Sequence, residues 1–136
     1  MSGIIDSFII AGAGMRSQGD RLRVVAENIA NVDSTGTSPG AEPYRRKTIT
    51  FKNVLDRELG VNVVKTANYG TDKTNFKKKF EPGHPAADAQ GYVLYPNVDS
   101  VIELVDMREA QRIYEANLNI IDVVKSMISQ TLALLK

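Results

Sequence analysis

The residues best suited to chemistry lie in one short stretch around the only histidine. His84 has Asp88 four positions later and Glu81 three positions earlier, a set that could form a metal site or a general acid and base. Two prolines and a glycine between residues 82 and 85 make the stretch a turn. A single imidazole rarely makes a metal site, so a hydrogen-bonded or exposed loop histidine is the favoured interpretation. A small hydrolase that uses His84 and Asp88 is the alternative.

The rest of the chain offers no further reactive constellation. It contains no cysteine, which excludes a thiolate nucleophile, a disulfide scaffold and a cysteine-ligated metal. It has no G-x-S-x-G, H-E-x-x-H or phosphate-loop motif. Residues 12–19 partly imitate a dinucleotide fingerprint, but no strand precedes them. We therefore expect no catalytic site, no metal and no cofactor.

Length and charge restrict the classes of partner. The chain has 136 residues, 17 basic and 16 acidic, with a net charge of +1, which favours neither nucleic acid nor an anionic membrane. No apolar run approaches the ~18 residues of a membrane span, so we expect no direct membrane insertion. Asp6 interrupts the first apolar stretch and the first basic residue is Arg16, which does not fit a cleaved signal peptide.

The N-terminal segment, residues 3–31, has the spacing of a helix. The spacing between neighbouring residues of its apolar row alternates between four and three over more than three heptads, which is typical of a coiled-coil-like helix. The row consists of Ile4, Phe8, Ala11, Met15, Gln18, Leu22, Val25 and Ile29. Gly12, Gly14 and Gly19 together weaken such a helix by about 2 kcal/mol. They also allow another helix to approach, so we expect this helix to form fully only when packed.

The C-terminal segment, residues 101–135, predicts a longer helix with two adjacent apolar rows. One row is Ile113, Ile120, Val124 and Met127, and the other is Tyr114, Leu118, Ile121, Ile128, Leu132 and Leu135. Ser100 and Glu103 have the spacing of a capping box. A helix of this length extends about 50 Å, which is too long for the core of a small globule. One row can meet the N-terminal helix, and the second remains for another subunit, as in a polymer or stable assembly.

The segment between the helices predicts a small β-rich insert. Residues 32–43 are turn formers, and four stretches favour strands: residues 44–52, 61–66, 75–80 and 91–95. The fold class is therefore α+β, with long N- and C-terminal helices that form an antiparallel coiled-coil-like pair. We divide the chain into an N-terminal helix (1–35), a loop and β-rich insert (36–97) and a C-terminal helix (98–136).

Four stretches resemble the bacterial flagellar rod and hook proteins. Residues 25–34, Val-Ala-Glu-Asn-Ile-Ala-Asn-Val-Asp-Ser, resemble the N-terminal signature of this axial family. Many relatives carry a short Thr-Pro-Gly-Tyr turn next, where this chain has Ser34-Thr35-Gly36 and a longer loop. That loop and residues 80–99 are similar to proximal-rod members. The final Tyr114-Glu-Ala-Asn-Leu, Lys125-Ser-Met and leucine-rich end complete a resemblance that spans nearly the whole chain.

The resemblance implies a non-enzymatic structural subunit of the proximal rod, the driveshaft that transmits torque through the periplasm. Such proteins polymerise through their terminal helices, which are largely disordered in the monomer and order on assembly. They are exported by the flagellar type III apparatus without a cleaved signal peptide. The implied partners are further copies, other rod proteins, rod-base and hook-side neighbours, and the export apparatus.

The apolar rows and the matched signatures give two sets of candidate residues. For the subunit interface they give Phe8, Met15, Leu22, Val25, Asn28, Ile29, Asn31, Tyr44, Arg45, Ile113, Tyr114, Asn117, Ile120, Ile121, Val124, Ile128, Leu132 and Leu135. Asn117 lies in an apolar row, where a buried amide can fix register. The resemblance gives the second set, which positions the insert on the helices: Pro82, Gly83, Pro85, Asp88, Gly91, Tyr92, Pro96 and Asn97.

The sequence leaves two further alternatives to a proximal-rod subunit open. A soluble coiled-coil adaptor or secretion partner would be a stable small oligomer with ordered helices in solution. A rod subunit would be mostly monomeric and weakly helical until it joins its partners. A different rod protein is the other alternative, and residues 80–99 argue against it.

Overall fold

The computed structural model describes residues 2–136 as two long helices separated by four strands. Helix α1 spans Ser2–Ala30 and helix α2 spans Ser100–Leu134, each within two residues of its predicted bounds. At the end of α1, the Glu27 carbonyl oxygen accepts from the Asn31 backbone N–H at 3.2 Å and from Asn31 Nδ2 at 2.8 Å, so Asn31 closes the last turn of the helix. The predicted α+β fold with terminal helices is confirmed. Among the described residues, neither helix is long and apolar enough to cross a membrane.

The strands form two separate two-stranded sheets. Strand β1 (Lys47–Asp56) pairs with β2 (Val61–Thr71), and β3 (Lys77–Phe80) pairs with β4 (Tyr92–Tyr95). The second pair is antiparallel, with Phe80 opposite Tyr92. Strand β1 begins three residues later than predicted, and in the residues before it Tyr44 and Arg46 bind side chains of the helices. Strands β1 and β2 also continue beyond their predicted ends.

The chain divides into two compact units. The first comprises residues 2–22, 49–68 and 108–136, and the second comprises residues 23–48 and 69–107. Each unit therefore contains part of both helices and part of the β-rich segment. The division of the chain into residues 1–35, 36–97 and 98–136 follows the order of the elements along the sequence, and it stays a prediction.

In the first unit, α1 and α2 run antiparallel. Gly14 lies against the side chain of Asn117, and Arg21 Nη2 lies 3.4 Å from a carboxylate oxygen of Glu109. A Cβ atom on Gly14 would lie only 2.8 Å from Asn117 Nδ2. Gly14 therefore permits a close contact with α2, as the sequence predicts for the glycines of α1. At Gly12 and Gly19 a Cβ atom would meet nothing within 4 Å.

Helix α1 has a second buried face, which contacts the β1–β2 hairpin. Ala13 packs with Val61 and Val63 of β2, and Ile9 covers this cluster. Next to it, the buried Ser17 donates to the carbonyl oxygen of Val64 at 3.3 Å. The apolar row predicted from the sequence did not include this face, because a small alanine and a serine carry little hydrophobic signal.

Helix α2 buries one stripe in the first unit, and this stripe draws on both predicted rows. Ala110 and Val124 are buried, and the residues between them at heptad spacing are half-buried: Tyr114, Asn117 and Ile121. A spacing of 3.5 residues is the seam of a coiled coil. The predicted division into an inner and an outer row is therefore wrong, since Val124 of one row is buried whereas its row neighbour Ile120 is exposed.

The first turn of α2 is capped differently from the predicted capping box. Asp99 Oδ1 accepts hydrogen bonds from the backbone N–H groups of Val101 at 3.0 Å and Ile102 at 3.5 Å. Asp99 is thus the N-cap in place of Ser100. Glu103 does not reach back along its own helix, because its carboxylate is buried against Arg46 and Asn28.

Candidate assembly surfaces and the insert junction

Asn28 is the centre of a buried polar cluster in the second unit. Its Oδ1 accepts from Tyr44 Oη at 2.7 Å and from the Lys47 N–H at 2.8 Å. Its Nδ2 donates to the Lys47 carbonyl at 2.9 Å and to Glu103 Oε2 at 3.4 Å. The side chain is 1% exposed, so each of these bonds satisfies a group that water cannot reach. Asn28 therefore fastens the start of β1 to α1.

Glu103 and Arg46 form the charged part of this cluster. The Glu103 carboxylate is buried and accepts from Arg46 Nε, while Arg46 Nη1 lies 3.5 Å from Asp72 Oδ2. A buried carboxylate is tolerated only when it is paired and hydrogen-bonded. Burial alone would lower the pKa of Arg46, but its hydrogen bond and ion pair with Glu103 raise that pKa overall. The ion pair between Glu103 and Arg46 therefore connects α2 to the residue that directly precedes β1.

Asn97 and Arg45 hold the segment that follows β2. Asn97 Oδ1 accepts from the Arg46 N–H at 2.8 Å, and its Nδ2 donates to the Asp72 carbonyl at 3.0 Å. Arg45 Nη1 donates to the carbonyl oxygens of Asp72 at 2.8 Å and Thr74 at 3.1 Å. Two side chains thus bind the same stretch of backbone from different positions, which fixes the insert to its flanking segments.

The loop before β4 is ordered by Asp88 and Gly91. Asp88 Oδ1 accepts from the backbone N–H groups of Gln90 and Tyr92, each at 2.9 Å. The hydrogen bond from Tyr92 is the main reason that the pKa of Asp88 lies below its ordinary value. Gly91 has a φ of +88°, and a Cβ there would lie 2.8 Å from the Phe80 ring. Only glycine fits this position without strain.

His84 serves the structure of the same loop. Its Nδ1 accepts from the Ala86 N–H at 3.0 Å, and its Nε2 lies 3.3 Å from Thr35 Oγ1. The interpretation as a hydrogen-bonded loop histidine is confirmed. Across residues 2–136, no group of three or more histidine, aspartate or glutamate side chains is arranged to hold a metal ion.

The predicted insert-positioning residues fall into three places. Asn97 belongs to the polar cluster, and Pro96 is buried beside it in the chain. Asp88, Gly91 and Tyr92 form the hydrogen-bonded loop. The remaining members, Pro82, Gly83 and Pro85, are exposed. Sequence reasoning missed Arg46 and Asp72, and it assigned Glu103 to a capping box. The one signal for the cluster was an acid in the middle of the aliphatic run of residues 101–105.

The predicted interface residues differ in how far the chain itself covers them. Val25, Asn28 and Val124 are buried within the chain, and Phe8, Ile120, Leu132 and Leu135 are exposed. The others are half-buried: Met15, Leu22, Ile29, Asn31, Tyr44, Arg45, Ile113, Tyr114, Asn117, Ile121 and Ile128. Beside the buried stripe of α2 lies a second, exposed apolar row, formed by Ile120, Val123 and Met127. We call these three residues the outer stripe.

Known proteins match the chain along almost its whole length. A family model for the C-terminal region of flagellar basal body rod FlgEFG proteins matches residues 89–134. The flagellar basal-body rod protein FlgC of Agrobacterium fabrum is 51% identical over 127 residues, which cover 93% of this chain and 91% of that protein. The chain belongs to the FlgC family of flagellar basal-body rod proteins.

More distant FlgC proteins match to a similar extent. That of Escherichia coli O6:H1 is 41% identical over 96% of this chain and 97% of its own length. That of Borreliella burgdorferi is 38% identical over 98% of this chain and 99% of its own length. Membership in the FlgC family confirms the resemblance to flagellar rod proteins and places the chain in the rod of the basal body. It does not favour the adaptor or a different rod protein.

Proposed function

We propose that this FlgC-family chain is a non-enzymatic structural subunit of the proximal rod that assembles through the exposed apolar side chains of its terminal helices. In this role it transmits torque along the rod through the periplasm. The observation that carries the proposal is the outer stripe of α2. Its three side chains are between 44% and 58% exposed although they lie directly beside the buried helix seam.

The position of the outer stripe favours a subunit contact. Apolar side chains scattered singly on a surface need no explanation, but a continuous row beside a buried seam is typical of a protein–protein interface. Ile120, Val123 and Met127 are spaced three and four residues apart, so they share one face of α2. Burial of such side chains against another subunit contributes about 25 cal/mol for each Å² of apolar surface removed from water.

The glycines of α1 support a helix that orders on assembly. A Cβ atom added at Gly12 or Gly19 would meet nothing within 4 Å, yet each glycine weakens the isolated helix by about 0.5–1 kcal/mol. We expect the isolated chain to be mostly monomeric, with far less helix by circular dichroism than the two helices contain. A stable dimer or tetramer by light scattering that is also highly helical by circular dichroism would instead support an adaptor.

The predicted interface set remains part of this proposal, with its exposed members as the strongest candidates. The partners that we propose are further copies of the chain, other rod proteins, rod-base and hook-side neighbours, and the flagellar type III export apparatus.

The substitution Ile120→Asp tests the proposal. Ile120 is 44% exposed, so an aspartate there remains solvated in the monomer but would be buried and unpaired in the rod. We expect the variant to be produced and exported but to be absent from purified basal bodies. The exposed Ser129, on a different face of α2, provides the control Ser129→Asp, which adds the same charge off the stripe. Normal incorporation of Ile120→Asp would contradict the proposal.

A further inference from the structure

The two compact units differ in the side chains that they bury. Among the described residues, the six largest that are less than 2% exposed all lie in the second unit: Glu103, Val25, Val93, Val98, Asn28 and Pro96. The first unit buries no residue larger than valine, whereas its larger apolar side chains, such as Phe8, Leu55 and Leu118, are exposed. Stabilisation by burial grows with the apolar surface removed from water, so the second unit has the more complete interior.

The polar contacts of the second unit close within that unit. The cluster around Asn28, Arg46 and Asn97 connects the end of α1, the start of β1, the segment after β2 and the start of α2. All of these partners lie in residues 23–48 or 69–107. Every buried polar side-chain atom in the described part of the chain has a hydrogen-bond partner, so this cluster is satisfied without another subunit.

In the first unit the elements are joined by smaller polar contacts. Ser17 donates to the Val64 carbonyl at 3.3 Å, and Thr66 Oγ1 donates to Asp20 at 2.8 Å. The ion pair between Arg21 and Glu109 is largely exposed on its acidic side, and such surface pairs contribute little to stability. This unit therefore depends more on surfaces that it has not yet buried.

The second unit also contains the anchored end of each helix. Residues 23–30 of α1 and residues 100–107 of α2 belong to it and form about two turns each. Asn31 closes the last turn of α1, and Asp99 caps the first turn of α2. The glycines of α1 all precede residue 20, so the intrinsic weakness of that helix lies outside the second unit.

We propose that the second unit is already folded in the free chain, whereas the first unit orders only in the rod. This inference rests on the proposed rod function and deepens it. The boundary crosses both helices, between Leu22 and Arg23 in α1 and between Met107 and Arg108 in α2, and does not coincide with their inner ends. It also crosses the insert, because residues 49–68 of the β1–β2 hairpin belong to the first unit.

A folded second unit changes what assembly has to accomplish. The first turn of a helix is costly because several residues must be fixed for one hydrogen bond, whereas each later residue adds a bond of its own. In the second unit these first turns exist in both helices. On assembly α1 extends towards the N-terminus and α2 towards the C-terminus from turns that are already formed, so neither helix needs a new nucleus.

Hydrogen–deuterium exchange of the isolated full-length chain tests the inference, at a concentration where light scattering shows a monomer. Mass spectrometry compares each segment with the rate for an unfolded peptide of the same sequence. In the second unit we expect exchange at least about a hundredfold slower than that rate, for residues 27–31, 92–95 and 103–107. In the first unit we expect exchange within about threefold of that rate, for residues 5–20, 51–66 and 112–134.

The variant Asn28→Ala shows whether the protected segments form one unit. It removes the hydrogen bonds that connect α1 to β1 and to Glu103, so exchange should become faster in residues 27–31 and 103–107 together. The control Asn119→Ala changes an exposed residue of the first unit and should leave both segments as slow as in the parent chain. Faster exchange in only one of the two segments of Asn28→Ala would contradict a single folded unit.

Three results for the parent chain would overturn the inference: slow exchange in both units, rapid exchange throughout, or slow exchange in residues 51–66 together with rapid exchange in residues 27–31 and 103–107. Each of them leaves the rod function intact if purified basal bodies contain the chain. Absence of the parent chain from purified basal bodies would instead refute the rod function itself.

Discussion

Asn28 of α1 and Lys47 of β1 exchange two hydrogen bonds. The Lys47 N–H donates to Asn28 Oδ1 at 2.8 Å, and Asn28 Nδ2 donates to the Lys47 carbonyl at 2.9 Å. The side-chain amide thus satisfies both backbone groups of the first strand residue, as a neighbouring strand would do. A helix side chain therefore determines where the insert begins.

The substitution Asn28→Ala should destabilise the chain more than any surface change. It removes four hydrogen bonds and leaves the buried Glu103 carboxylate and part-buried groups of Tyr44 and Lys47 without this partner, so we expect the free energy of unfolding to fall by about 3 kcal/mol. Urea unfolding measures this change. The exposed Asn119 supplies the control, since Asn119→Ala should change the free energy by less than about 0.5 kcal/mol. Equal effects of the two substitutions would show that the cluster contributes nothing.

Two glycines of α1 should respond differently to alanine. At Gly12 the added methyl group meets nothing within 4 Å, and we expect a gain of about 0.5–1 kcal/mol from helix propensity in thermal melts of the assembled form, in which we expect α1 to be ordered. At Gly14 the methyl group would lie 2.8 Å from Asn117 Nδ2, so that gain should be reduced or reversed. Adding Asn117→Ala to Gly14→Ala should restore it. The same gain for both single variants would contradict the packing of α1 against α2.

Gly91→Ala should destabilise the loop before β4. Its φ of +88° is strained for alanine, and the methyl group would collide with the Phe80 ring, so we expect a loss of about 1–3 kcal/mol in chemical unfolding. Gly83 in the same loop has an ordinary φ and nothing within 4 Å, which makes Gly83→Ala the matched control. If Gly83→Ala cost as much, the conformation of Gly91 would not be the cause.

Acid should destabilise the insert through Asp88. Hydrogen bonds hold the pKa of this carboxyl below its ordinary value of 3.8, so the unfolded chain binds the proton more readily than the folded chain. The resulting stability is present above about pH 4 and is lost as the pH falls through the lowered pKa. In unfolding measured from pH 6 to pH 2, Asp88→Asn should show a shallower loss of stability than the parent. Asp122 lies on an exposed part of α2, so the stability of Asp122→Asn should fall with pH as steeply as that of the parent chain. The same steep fall in Asp88→Asn would exclude a contribution from Asp88.

The sequence predicts the elements of the fold better than the contacts between them. The heptad spacing of α1 and α2 is a local signal, and the two helices begin and end almost where that spacing does. The buried position of Glu103 depends on Arg46, which is distant in sequence, so the local capping-box pattern gave the wrong role. The face of α1 that meets the hairpin was missed because Ala13 and Ser17 become recognisable only through their contacts with β2.

The position of the outer stripe in the assembled rod tests the central claim most directly. Met127→Cys introduces the only thiol of the chain on this stripe, and its rate of labelling with a bulky maleimide can be compared between the isolated chain and purified basal bodies. We predict a rate at least about tenfold lower in basal bodies, because the core of an interface is packed as densely as a protein interior. Asp122→Cys, on a different face of α2, reports general accessibility. Unchanged labelling of Met127→Cys in basal bodies that contain the variant would contradict the claim that this stripe joins subunits.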